Sequence, residues 1–143
     1  MPGNDGARLK NDARVQAEQA RDALIDRKGI DPVLMDVRGV SGVTDYFVIA
    51  AGGSAPHLKA LTAEVARRWR AAGVARTRTT GSVDSGWVVM DGIDVVVHLM
   101  TPDLRERYAL EDLWSDAPRI AGDEPGESGE AKPESRGTDA SGE

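Results

Sequence analysis

The stretch that decides the fold is GWVVMDGIDVVVHLM followed by TPDLRERYALEDLW, residues 86–114. Two runs of β-branched and large apolar residues, 87–90 and 93–100, flank Asp91-Gly92, a pair suited to the positive φ angles of a tight turn, so a β-hairpin is predicted. The turn is either Asp91-Gly92 alone or the longer span from Asp91 to Asp94; both registers leave every side chain on the same face. One face carries Val88, Met90, Val95, Val97 and Leu99, an aliphatic set that belongs in a core. The other carries Trp87, Val89, Val96, His98 and Met100, with Asp91 and Asp94 at the turn end. An indole, an imidazole and a thioether rimmed by carboxylates are nearer in composition to a recognition surface than to an interior. A helix laid over that face would account for it equally well.

The hairpin hands directly into a helix. Thr101 can accept from an orphan amide, Pro102 fits the first helical position, and Asp103 suits the positive end of the helix dipole. On a continuous helix through Trp114, Leu110, Leu113 and Trp114 share one arc, and Leu104 and Tyr108 another. One arc can pack on the sheet. The other needs a second partner: more of this chain, a second copy, or a different molecule.

Upstream elements read as the supporting layer. Asn11-Asp12 can cap a helix running to Gly29, where glycine tolerates a left-handed stop; its apolar side is mostly alanine, with Val15, Leu24 and Ile25 adding bulk. Residues 33–37 and then 45–50 read as neighbouring strands, the second apolar on both faces. Ser54 caps a helix over 55–72, with Leu58, Leu61, Val65, Trp69 and Ala72 at helical spacing, which puts Trp69 in the core. Arg76 and Arg78 fall in a short polar strand, and residues 81–85 form the loop into the hairpin. The order implies an α/β domain: a mixed sheet of about five strands flanked by helices, with nucleotidyltransferase-like topology.

Composition sets the boundaries. A chain of 143 residues suits one domain with a single core. The absence of cysteine excludes disulfides and thiolate metal sites. The N-terminus lacks the apolar core of a signal peptide, and the longest apolar run, residues 46–51, is far short of the roughly twenty residues of a membrane span, so a cytoplasmic protein is expected. Of the net charge of −6, residues 121–143 supply −5, from seven carboxylates against Lys132 and Arg136. The expected organisation is a flexible N-terminus over 1–10, a folded domain over 11–118 and an acidic disordered tail over 119–143.

Chemical motifs are sparse. A strand, Gly52-Gly53-Ser54 and a helix resemble a nucleotidyltransferase phosphate turn, but that chemistry needs paired carboxylates on a strand, and Asp84, Asp91 and Asp94 sit in loop and turn. His57 and His98 are the only imidazoles, and neither has a ligand cluster around it in the sequence. Arginines of the second helix and third strand could meet RNA phosphate, yet no aromatic residue is interleaved with them, so a solvated face is the simpler reading.

TDYFVIA (44–50), HLKAL (57–61), WVVMDGIDVVVHLM (87–100) and RERYALEDLW (105–114), in that order, resemble the ribosomal silencing factor family, also called the Iojap family. The resemblance runs from about Ala13 to Trp114. It implies a homodimeric α/β protein without catalysis, cofactor or metal. Such a protein binds the large ribosomal subunit at its ribosomal protein fourteen, blocks joining of the small subunit and lowers translation when nutrients are scarce. Carried over by position, Trp87, Met90, Asp91, Val96, His98 and Met100 match the family segment near the partner, and Arg105, Tyr108, Leu110, Glu111 and Trp114 match its terminal helix motif. A glancing contact with ribosomal RNA is compatible with this placement, and no membrane partner is implied. Two departures stand out: Ala51 and Gly53 replace the usual hydroxyl or amide residues, and Gly92-Ile93 replaces a commoner aromatic-Gly pair.

Overall fold

A computed structural model describes residues 5–42, 44–74, 76–113 and 117–120. The elements in chain order are α1 (Asp5–Asp26), β1 (Ile30–Asp36), β2 (Tyr46–Ala51), α2 (Ala55–Ala71), β3 (Arg78–Ser82), β4 (Trp87–Asp91), β5 (Val95–Met100), α3 (Pro102–Tyr108), α4 (Leu110–Leu113) and β6 (Arg119–Ile120). They build the expected mixed α/β sheet with one more strand than foreseen, in the order β3-β4-β5-β2-β1-β6. Only β2 and β5 run parallel, because α2 and the β3-β4 hairpin intervene between them.

One face of the sheet is sealed by α1 and α2. Leu34, Tyr46, Val48, Ala50, Val88, Met90, Val95, Val97 and Leu99 meet Ala13, Ala17, Ala20, Ala23 and Leu24 of α1 and Leu58, Leu61, Val65 and Trp69 of α2. The alanine stripe lets α1 lie close against the sheet. Val15 and Ile25, expected to add bulk there, face outward instead. Charge is handled locally: Glu64, buried on α2, accepts from Arg27, Arg67 and Arg68, and the Arg67 and Arg68 guanidiniums hold its carboxyl down at about 2. No helix among the described residues is long and apolar enough to cross a membrane.

Several local expectations shift. α1 begins at Asp5, so residues 5–10 are helical rather than loose and Asn11-Asp12 lie inside the helix. At its end Lys28, with φ of 62°, takes the left-handed position while Gly29 N–H reaches back to the Leu24 carbonyl at 2.7 Å. The left-handed residue thus falls one position earlier than foreseen, and Gly29 is needed for room instead: a Cβ there would lie 3.0 Å from that same oxygen. Arg119 and Ile120, expected to open the acidic tail, pair with Met35 and Leu34 as β6. Residues 121–143 lie outside the described residues.

The hairpin turn follows the same pattern. Val88 pairs with Leu99, Met90 with Val97 and Asp91 with Val96, so the register is shifted by two residues from the longer expected turn and by four from the shorter, and the turn falls after Asp91. Gly92 N–H donates to the Val95 carbonyl at 2.8 Å, and Ile93, not glycine, takes the positive φ of 76°. The Asp91 carboxylate steadies this bend by accepting from Ile93 N–H at 2.8 Å. Gly92 is small for a tertiary reason: a Cβ there would fall 2.3 Å from Gln16 Nε2 and 3.0 Å from the Trp69 ring. Gly92→Ala is therefore expected to destabilise the fold by ~1–3 kcal/mol through overpacking at the helix–hairpin contact. An unchanged denaturation midpoint would show that this contact yields freely.

Candidate functional site: the uncovered sheet face

Among the described residues, the opposite face of the sheet is covered at one end only. There Met35, Val37, Phe47, Ile49 and Met100 form a second apolar cluster with Ala117, joined by Val33, Trp87, Leu104 and Leu110. The register leaves Trp87, Val89, Val96 and His98 on that face, beyond the reach of α1 and α2.

Trp87 is half-buried and held from two directions. Its Nε1–H donates to His98 Nδ1 at 3.1 Å, and its ring lies 5.0 Å, centroid to centroid, from Tyr108. His98 also packs on Phe47 at 4.9 Å. Accepting at Nδ1 requires a neutral imidazole with its proton on Nε2. Burial reinforces that state by pushing the His98 pKa down to about 4. The centre of this face is therefore an uncharged aromatic patch at neutral pH.

That depression carries a stability consequence. Between about pH 6.5 and 4 the unfolded chain binds a proton at His98 that the folded chain refuses, so unfolding becomes easier as pH falls through this window. The loss reaches up to ~2 kcal/mol by pH 5. The paired carboxylates Asp36 and Glu64, whose pKa values are lowered, lose their contributions in a more acid range. A His98→Gln chain should show a flatter stability curve between pH 6.5 and 5 than the wild type; parallel curves would remove His98 as the cause.

α3 brings Tyr108 over the indole. Thr101 Oγ1 accepts from Leu104 N–H at 3.3 Å, as the cap expectation required. The helix then stops: Ala109 adopts a left-handed φ of 45° and α4 starts afresh at Leu110. The arc expectation assumed one continuous helix and is overturned in detail. Leu104 and Leu110 pack on the second cluster together, whereas Leu113 is 70 % exposed. The break accompanies an ion pair, with Arg105 Nη2 2.9 Å from Glu111 Oε2 and Arg105 Nη1 donating to the Ile30 carbonyl at 2.8 Å. Residues six apart on an unbroken helix point about 240° apart, so Arg105 and Glu111 meet only because the chain turns at Ala109.

The expected site residues thus separate. Trp87, Val96, His98 and Tyr108 lie on or over the open face, and Tyr108 is 51 % exposed. Asp91 is at its turn end, exposed, with one oxygen on the Ile93 amide. Arg105 and Glu111 join α3 to α4, and Leu110 packs on the second cluster. Met90 and Met100 are corrections: at 1 % and 0 % exposure neither offers a surface, Met90 because it points under α1 and α2, Met100 because Leu104 and Leu110 cap its cluster. Trp114 lies outside the described residues. Val89 belongs with the open face through its pairing with His98, and strict strand alternation already placed it there.

At the Gly-Gly-Ser turn both glycine amides are engaged, that of Gly52 on the Met100 carbonyl at 2.9 Å. Gly53 N–H donates to His57 Nδ1 at 3.0 Å, the Ser54 hydroxyl accepts from His57 N–H at 3.1 Å, and His57 Nε2 reaches the Arg27 carbonyl at 2.9 Å. Among the described residues no group of three or more His, Asp or Glu is placed to hold a metal ion.

Residues 10–143 match the family described as ribosomal silencing factor during starvation. This chain belongs to the ribosomal silencing factor family. It is 35 % identical over 101 residues to the ribosomal silencing factor RsfS of Halalkalibacterium halodurans, covering 71 % of this chain and 86 % of that one. It is also 35 % identical over 75 residues to a mouse protein named for mitochondrial assembly of the ribosomal large subunit, covering 50 % of this chain and 33 % of that one. A Chromobacterium violaceum crystal structure superposes with a TM-score of 0.68 at 32 % identity, covering 79 % of this chain and 89 % of the other.

Proposed function

We propose that this silencing factor binds the large ribosomal subunit through ribosomal protein fourteen. By standing where the small subunit docks, it blocks subunit joining and represses translation under nutrient limitation. The observation that carries this reading is the open sheet face, where a half-buried indole is fixed by His98 and Tyr108 beside Val89 and Val96. A preorganised tryptophan within an apolar patch is the residue type that most often dominates protein interfaces, and steric exclusion asks no more of a protein than a surface with such an anchor. Family membership supplies the ribosome, and the relative named for large-subunit assembly supplies the subunit. The free protein is a cytoplasmic homodimer in this reading and acts without catalysis.

Co-sedimentation tests it. The full chain should travel with purified large subunits through a sucrose gradient and, when small subunits are added, reduce the joined fraction. Sedimentation of large subunits without the chain, or undiminished joining at saturating protein, would overturn the proposal.

A further inference from the structure

Of the five arginines between positions 67 and 78, Arg70 stays exposed on α2 and the fold divides the other four into two sets. Arg67 and Arg68 are consumed internally, both on Glu64 and Arg68 also on Asp26. The side chains of Arg76 and Arg78 are free: among the described residues neither guanidinium has a hydrogen bond or an ion pair. Both are exposed, and with Thr77, Asp91 and Ile93 they line one concavity of about 460 Å³.

Position adds to this. Arg78 sits across from Asp91 on β4, and Asp91 sits across from Val96 on β5, so Arg78 closes the turn end of the same face that carries Trp87 and His98. Although Arg78 and Asp91 are in register, they form no ion pair; Asp91 instead turns an oxygen to the Ile93 amide. The guanidiniums therefore remain available at the rim of an apolar patch.

We propose that Arg76 and Arg78 grip the phosphate backbone of ribosomal RNA at the edge of the protein-binding face. This rests on the open face being the large-subunit docking face. Guanidinium forks match phosphate oxygens in paired hydrogen bonds, which makes arginine suited to backbone contacts. No aromatic side chain lines the concavity with them, so base stacking is absent and the contact is independent of RNA sequence. Protein fourteen then supplies the specific anchor, and the arginines add salt-sensitive affinity.

The test compares full-length wild type with an Arg76→Ala/Arg78→Ala chain, binding each to purified large subunits and to isolated protein fourteen over a salt series. Two lost phosphate contacts should lower the slope of log affinity against log salt on large subunits by about 1.5, about an eightfold difference in affinity lost over a fourfold rise in salt. Affinity for isolated protein fourteen should not change. An Arg76→Lys/Arg78→Lys chain, which keeps the charge, should retain most of the slope. If wild type binds large subunits and the alanine chain has the same slope, the RNA contact is refuted while the docking face stands. Equal losses on large subunits and on isolated protein fourteen would refute it too, assigning the arginines to protein. If wild type fails to bind large subunits at all, the docking face itself is wrong.

Discussion

Replacement of Trp87 by alanine is expected to weaken binding to the large ribosomal subunit by tens to hundreds of fold, ~2–4 kcal/mol, while the chain stays folded. The size follows from what truncation removes: the ring packed on Tyr108 at 5.0 Å, the donor to His98, and the apolar centre of the open face. Retention of the fold follows from location. The α1–α2 core contains no atom contributed by the Trp87 side chain, which packs only at the edge of the second cluster. Trp87→Phe separates the two ingredients, since it keeps an aromatic face for Tyr108 and loses the N–H to His98. It should recover much of the affinity if area dominates and little if the indole–imidazole bond sets the pose. Measured by co-sedimentation alongside circular dichroism, a folded Trp87→Ala chain that binds as tightly as wild type would show that the open face is not the docking surface.

The two hairpin faces were legible because a period of two survives any even change of register. The turn itself was not. Asp91-Gly92 carries a signal for positive φ, yet the glycine is there for Gln16 and Trp69, residues more than twenty positions away whose approach no local pattern encodes. Met90 is a different kind of miss. Alternation put it with the core and motif matching put it with the partner, and its burial beneath α1 and α2 sides with alternation. The interruption at Ala109 had no local mark, since alanine favours helix; it accompanies Arg105 reaching both Glu111 and the Ile30 carbonyl. β6 is too short to show a period at all, and exists because Met35 and Leu34 leave an edge for Arg119 and Ile120 to pair with. The open face had a compositional signature, an indole and an imidazole on one side of a strand pair, but how much of it the last helices cover was a tertiary matter.

Trp69→Ala is expected to have the opposite outcome from Trp87→Ala, with the larger effect on stability. Trp69 is 1 % exposed, its Nε1–H donates to the Gln16 carbonyl at 3.0 Å, and its ring lies against the Gly92 bend. One side chain thus ties α1, α2 and the hairpin tip together. Deleting it removes the transfer energy of a buried indole and leaves a cavity that three converging elements cannot all collapse into, at a cost of ~3–5 kcal/mol. For a domain with ~5–15 kcal/mol in total, that is a large part of the margin, and the melting temperature should drop by more than about 10 °C. Trp69→Phe keeps most of the volume and gives up the bond to Gln16, so it should lose ~1–2 kcal/mol. Because Trp69 lies beneath the helices on the far side of the sheet, the fraction of either variant that remains folded at low temperature should bind large subunits with wild-type affinity. A Trp69→Ala chain with unchanged denaturation midpoint, or one that stays folded yet fails to bind, would reverse the roles assigned to the two tryptophans and, with them, which side of the sheet faces the ribosome.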